Sequence, residues 1–151
     1  MHTATKTVGK LLPFATEASW ATGRWAALQK YTSIAGRDLE EDFNVSIGKA
    51  LLALHEKETT RFVSTIEDLR EQITCSLSRA TTSSIGSCHD PMLKLHVLTE
   101  LEMIAGVDYT EPIPKEELLE SLDRRLETIG GYLNDKQYLL GIRRAAMQLS
   151  R

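Results

Sequence analysis

The chain has 151 residues, enough for one domain with a real core and too few for two comfortable ones. Hydrophobic residues make up 42% and charged residues 26%, the balance of a globular protein rather than a disordered one. The 18 basic and 21 acidic residues leave a formal charge of −3 without any run of five like charges, which excludes a nucleic-acid-binding stripe and a membrane-surface helix.

Two cysteines, Cys75 and Cys88, cannot build a disulfide framework in a chain of this size and read as reduced thiols. The opening residues lack the apolar run of a signal peptide, and no stretch approaches the ~18 apolar residues of a membrane span. A soluble, intracellular chain with no membrane partner is expected.

Helical periodicity recurs six times along the chain. A first helix is predicted from Thr16 to Tyr31, its stripe running through Phe14, Ala18, Ala21, Trp25 and Leu28, with Trp20, Ala27 and Tyr31 widening it. Residues 1–13 read as an N-terminal extension or part of a preceding helix. Asp42 precedes a second helix with Phe43, Ile47, Ala50, Leu51 and Leu54 on one face. A third begins near Thr59 and carries Phe62, Ile66, Leu69, Ile73 and Leu77.

Ser, Thr and Gly between Arg79 and Cys88 predict a loop near 79–89. Asp90 then serves as N-cap and Pro91 as first helical residue of a fourth helix, which presents Leu93, Val97, Leu101 and Ile104 and ends at Gly106. A second loop is predicted near 106–114. Pro114 opens a fifth helix with Leu118, Leu122, Leu126 and Ile129 in phase, and Gly130–Gly131 interrupts it. Asn134 or Asp135 caps a sixth, with Tyr138, Leu139, Ile142, Ala146 and Leu149 repeating. No segment alternates with period two, so no strand is predicted.

The expected fold class is all-α: antiparallel helix pairs stacked as a tetratricopeptide/HEAT-like α-solenoid segment. Several helices are apolar on more than one face, and the last ends one turn beyond Leu149, features of a stack open at its end. The spacing Trp25-x2-Leu28-x2-Tyr31 is close to that of a tetratricopeptide first helix, although no strict 34-residue period runs through the chain.

Four ordered strings are similar to the FAT domain of the phosphatidylinositol-3-kinase-related kinases, within it the ATR branch. They are Glu17-Ala18-Ser19-Trp20 followed by Arg24-Trp25; Phe43-x3-Ile47-Gly48-Lys49-Ala50-Leu51-Leu52; Leu95-His96-Val97-Leu98-Thr99-Glu100-Leu101-Glu102; and Arg125-Leu126-Glu127 with Ile142-Arg143-Arg144-Ala145. Phe62-x6-Leu69-Arg70 lies between them, and together they reach from Glu17 to Arg151. The resemblance implies a non-catalytic scaffold that positions a Ser/Thr kinase domain further along a parent chain, in DNA-damage checkpoint signalling and repair in the nucleus. It implies that ATP and Mg belong to that kinase domain alone, and that the partners are other helical repeats, the kinase domain and further proteins. No Gly-rich phosphate loop, Asp-Phe-Gly triplet or catalytic-loop spacing occurs in the sequence. The alternative is a free-standing tetratricopeptide-like adaptor for a peptide or protein partner.

No catalytic, cofactor or metal residues are assigned. His96 and Glu100 share a helix face, a spacing open to metal ligands or an acid–base pair, but a His–Glu contact in a packed scaffold is expected. Cys75, Cys88 and His89 are the available further zinc ligands and lack the required spacing. His55-Glu56 does not complete a zincin motif, because Thr59 stands at the fifth position. Three residues are assigned to interaction. Trp20 is either an aromatic platform or core, with Trp25 the more strongly expected in the core. Arg143 and Arg144 either contact an acidic helix or form a solvated pair at a helix end. The Ser/Thr segment Thr81–Ser87 is read as a surface connector, with phosphorylation as its alternative.

Overall fold

A computed structural model describes residues 2–35, 43–80, 89–106, 114–128 and 133–149. Those residues form seven helices and no strand: α1 (His2–Ala21), α2 (Trp25–Ala35), α3 (Phe43–His55), α4 (Thr59–Ala80), α5 (His89–Ala105), α6 (Lys115–Thr128) and α7 (Leu133–Leu149). The all-α class is as expected. The chain divides into two compact units, Met1–Thr65 and Ile66–Arg151. Residues of both predicted loops, 81–88 and 107–113, lie outside the described residues, as do Asp42, Ile129 and Gly130–Gly131.

The count differs from six because the predicted first helix is two. Helix α1 runs through Pro13 and stops at Ala21, where Gly23 takes a left-handed φ of 71°. The amide of Arg24 donates to the Ser19 carbonyl at 2.8 Å and that of Gly23 to the Trp20 carbonyl at 3.3 Å, the paired bonds of a Schellman cap. The break also exchanges the faces. Phe14 is 71% exposed and Ala18 and Ala21 are exposed, whereas Leu12, Thr16, Ser19 and Trp20 are buried. The α1 part of the predicted stripe faces solvent, while Leu28 of the same stripe is buried in α2, and a face of α1 rich in small hydroxyl residues faces the core. Those hydroxyls carry their own partners: Thr16 Oγ1 donates to the Leu12 carbonyl at 2.7 Å, and Thr32 Oγ1 in α2 to the Leu28 carbonyl at 3.0 Å. Only their methyl groups then meet the neighbouring helix.

In the first unit α1, α2 and α3 pack on one another. Helix α3 is buried on most of its circumference, from Val45 to Ala53, as a helix apolar all round must be. Its Gly48 sits where the three helices meet. A Cβ there stands 2.6 Å from Thr16 Cγ2 and 3.0 Å from Leu28 Cδ1, so only hydrogen fits. Helix α3 ends in a second Schellman cap: Glu58 N to Ala53 O at 2.9 Å and Lys57 N to Leu54 O at 3.2 Å. Here the left-handed position is Lys57, at φ 59°, and not glycine.

Elsewhere the predicted faces hold. Phe62, Ile66, Leu69 and Ile73 of α4 are buried, as are Val97, Leu98, Leu101 and Ile104 of α5, Leu122 of α6, and Leu139, Ile142 and Ala146 of α7. Helix α5 includes His89, one residue before the predicted cap, and α7 begins at Leu133, so Asn134 and Asp135 lie inside its first turn. Gly106 follows α5 with φ 69°, its amide bonded to the Glu102 carbonyl at 2.9 Å, the expected stop. In the second unit α5 packs against α7 and α6.

Gly48→Ala is expected to destabilise the chain by ~1–2 kcal/mol, because a stiff threonine must move and the overpacking outweighs alanine's better helix propensity. Gly141 in α7 has open space around its Cβ position, so Gly141→Ala is expected to stabilise by up to ~1 kcal/mol. Urea denaturation midpoints moving in opposite directions check both. Lys57→Gly is expected to raise the midpoint, relieving a left-handed conformation that costs an L-residue about 1–2 kcal/mol; an unchanged or lower midpoint contradicts it.

Candidate functional site: a buried charge cluster in the second unit

Glu100 lies in the middle of α5, flanked in sequence by Val97, Leu98, Leu101 and Ile104, all buried. The surrounding apolar positions draw this stretch of helix inside and carry the carboxylate with them. Glu100 is 2% exposed. An ionised carboxylate in such surroundings requires a charged partner and hydrogen bonds.

Arg143 of α7, itself 7% exposed, supplies both. Its Nε donates to Glu100 Oε2 at 3.2 Å and its Nη2 to Oε1 at 3.0 Å, a two-pronged fork. Nη2 also donates to the backbone carbonyl of Leu122 in α6 at 3.0 Å, and Nη1 stands 3.6 Å from Oδ1 of exposed Asp123. One guanidinium therefore ties α5, α6 and α7 together. Arg125 of α6 joins from the other side, its Nε 4.0 Å from Glu100 Oε1 and its Nη2 3.0 Å from His96 Nδ1. A guanidinium only donates, so Nδ1 accepts and the imidazole proton resides on Nε2.

Two groups depart from their ordinary titration. Burial pushes the Glu100 carboxyl above the usual carboxylate range, against the pull of Arg143 and Arg125. Burial and then the charge of Arg125 hold His96 below the ordinary imidazole value. Within the same unit Arg70 Nη1 of α4 donates to Glu102 Oε1 of α5 at 2.6 Å, a half-exposed pair.

Of the assigned interaction residues, Trp20 is buried at 2% exposure in the first unit and Arg143 is buried in the cluster, while Arg144 is exposed. The acidic helices that Arg143 meets are α5 and α6 of this chain. The order expected of the tryptophans is reversed: Trp25 is half-buried, its ring stacked on that of His55 at a centroid distance of 4.9 Å and 15°. His96 and Glu100 do face one site, joined through Arg125. Sequence reasoning missed that joining arginine and the Arg143–Glu100 pair. The available signal was a single carboxylate inside an apolar run, which demands a buried cation from another helix.

No group of three or more His, Cys, Asp or Glu side chains able to hold a metal occurs among the described residues. Cys75 is exposed, Cys88 lies outside the described residues, and the side chain of His89 is not described. The Thr81–Ser87 segment is likewise outside them. In the first unit a shallow polar groove of about 300 Å³ is lined by residues including Gln29, Ser33, Lys49, Glu56, Arg61 and Thr65, with Arg61 engaged by Glu56 and, at 3.0 Å, by Glu58. The cluster's own groups are a fully engaged carboxylate and two arginines that do not lose their protons. Such an arrangement binds helices to each other.

Removing one member leaves the other buried without its forked partner, with only Arg125 near Glu100 or Asp123 and the Leu122 carbonyl near Arg143. Arg143→Met is expected to cost about 3–5 kcal/mol, and Glu100→Gln a similar amount, whereas the double substitution is expected to recover part of the loss. Chemical denaturation of the four chains in a double-mutant cycle measures this coupling, and strict additivity contradicts it.

The FAT domain family matches residues 12–151. The chain is 24% identical over 135 residues to the Target of rapamycin homolog of Caenorhabditis elegans, covering 89% of this chain. It is 29% identical over 114 residues to the Serine/threonine-protein kinase tor1 of Schizosaccharomyces pombe, covering 76% of this chain. The matched stretch spans 5% of the length of each of these relatives. No helix among the described residues is long and apolar enough to cross a membrane. The family match runs over all seven helices and both units except the first residues of α1, and the chain belongs to the FAT domain family.

Proposed function

We propose that this chain is a helical scaffold segment of a large phosphatidylinositol-3-kinase-related Ser/Thr kinase and that it holds neighbouring helical repeats and the kinase domain of that parent in place. The observation that carries the reading is the FAT match over residues 12–151 of an all-helical chain whose charged cluster is spent on joining its own helices. ATP and Mg act in the parent's kinase domain, outside this segment, and the partners are protein surfaces. Trp20 and Arg143 serve the interaction from inside, by fixing the helices that present it, and exposed Arg144 is the residue positioned for direct contact.

The branch of the parent is a separate question. The four strings resemble the ATR-type checkpoint kinases, whereas both relatives carry target-of-rapamycin or tor1 names. Similarity over 76–89% of the chain outweighs four short strings, and we assign the parent to the target-of-rapamycin type. The DNA-damage role and the nuclear location rest on the ATR resemblance alone and fall with it.

Sequencing the transcript on both sides of this segment tests the reading. The frame is expected to continue into a Ser/Thr kinase domain more similar to target-of-rapamycin kinases than to ATR. A kinase domain of ATR type restores the checkpoint assignment. A complete 151-residue gene product that is monomeric by light scattering and binds an extended peptide overturns the scaffold reading in favour of the adaptor.

A further inference from the structure

We propose that the His96–Arg125 contact is a pH-sensitive latch on α6: with His96 neutral, α6 is fastened to α5, and protonation of His96 loosens it. The inference is independent of which kinase the segment belongs to.

The geometry makes the contact conditional on one proton. Arg125 Nη2 lies 3.0 Å from His96 Nδ1, and the arginine can only donate. A protonated imidazole carries hydrogens on both nitrogens, so it cannot accept, and it adds a second positive charge beside the first. The hydrogen bond becomes a like-charge contact at the same distance. Helix α6 keeps other ties, Arg143 to the Leu122 carbonyl and Arg125 Nε 4.0 Å from Glu100 Oε1, so loss of the hydrogen bond loosens the helix without releasing it. Of Leu118, Leu122 and Leu126 in its apolar row, only Leu122 is fully buried, and most of its other side chains are polar and exposed.

The charged groups around His96 come from each helix packed there. Arg125 faces it from α6. Glu100 lies one turn along α5, and Arg143 of α7 is engaged by Glu100, by the Leu122 carbonyl and by Asp123. Arg70 of α4 is directed to Glu102. Glu100, one turn along the same helix, is already held in a fork by Arg143, so the like-charge contact with a protonated His96 falls on Arg125.

The sign follows from linkage. Burial and Arg125 hold the folded His96 below the ordinary imidazole value, so the unfolded or loosened chain binds the proton more readily. The latch is therefore complete above the unfolded value, about 6.5, and is lost as pH falls through the lower folded value. Glu100 acts in the opposite sense. Its raised folded value makes the closed form bind protons more readily, so acid release of α6 does not come from Glu100.

Hydrogen exchange of the full 151-residue chain between pH 7.5 and 5.5, corrected for intrinsic rates, tests the latch. Amides of α6 are expected to open several-fold more often at the lower pH, with a ceiling of about tenfold per pH unit for one titrating group, while α2 and α3 stay unchanged. His96→Gln supplies an acceptor that does not titrate and is expected to abolish the change. The same α6 response in His96→Gln, or no α6 response in the wild type, overturns the proposal. Should that variant fail to fold, the titration of the His96 ring by NMR in the wild type decides: its midpoint must coincide with that of α6 opening, and separate midpoints overturn the latch.

Discussion

A carboxylate drawn into an apolar helix sets the terms for the second unit. The residues around Glu100 bury α5 so thoroughly that its charge has no route to water, and a buried charge is tolerated only when paired and hydrogen-bonded. Arg143 answers it with a fork, and the same guanidinium reaches the backbone of α6. Apolar contacts between α5 and α7 are compatible with several rotations of one helix on the other, because burial is non-directional. The fork is directional, and it selects one rotation. Arg125 and His96 extend that selection to α6, whose own apolar row is narrow.

The first unit reaches the same end without buried charge. Its three helices approach closely at Gly48, where the neighbours are the methyl groups of Thr16 and Thr32 and the side chain of Leu28. Gly48 removes the side chain at the crossing, and Thr16 and Thr32 turn their hydroxyls back onto their own helices so that methyl groups face the partner. Two Schellman caps, one at Gly23 and one at Lys57, end α1 and α3 abruptly enough that the next helix begins after three residues. Close approach at this crossing adds to the packing of the large buried side chains Trp20, Leu28, Ile47 and Leu51.

Both units thus direct many of their polar groups inward, to caps, back-bonded hydroxyls and, in the second unit, interhelical ion pairs. This is the economy of a part whose work is to hold a shape, and it agrees with membership of the FAT domain family. It also separates two kinds of interaction residue. Trp20 and Arg143 are buried and maintain the shape of their units, whereas Arg144 and the exposed apolar side chains Leu11 and Phe14 lie at the surface.

The helical class, the ends at Thr59 and Gly106, and the buried faces of α3 to α7 were legible from the sequence, because a 3.6-residue period in apolar residues is a local property. So was the family, carried by ordered strings. The sequence did not reveal the inner face of α1, because a helix packed at close range buries Thr16 and Ser19 in preference to Phe14, and hydrophobicity ranks them the other way. A glycine at position 23 is tolerable inside a helix and favourable after one, and only the hydrogen bonds of Arg24 and Gly23 decide between the two. The pairing of Glu100 with Arg143 lies 43 residues apart in the chain, and Arg125 with His96 lies 29 apart. Local sequence can announce that a buried carboxylate needs a cation. Which of the chain's arginines arrives is decided by how the helices rotate and cross, and that is a property of the tertiary structure alone.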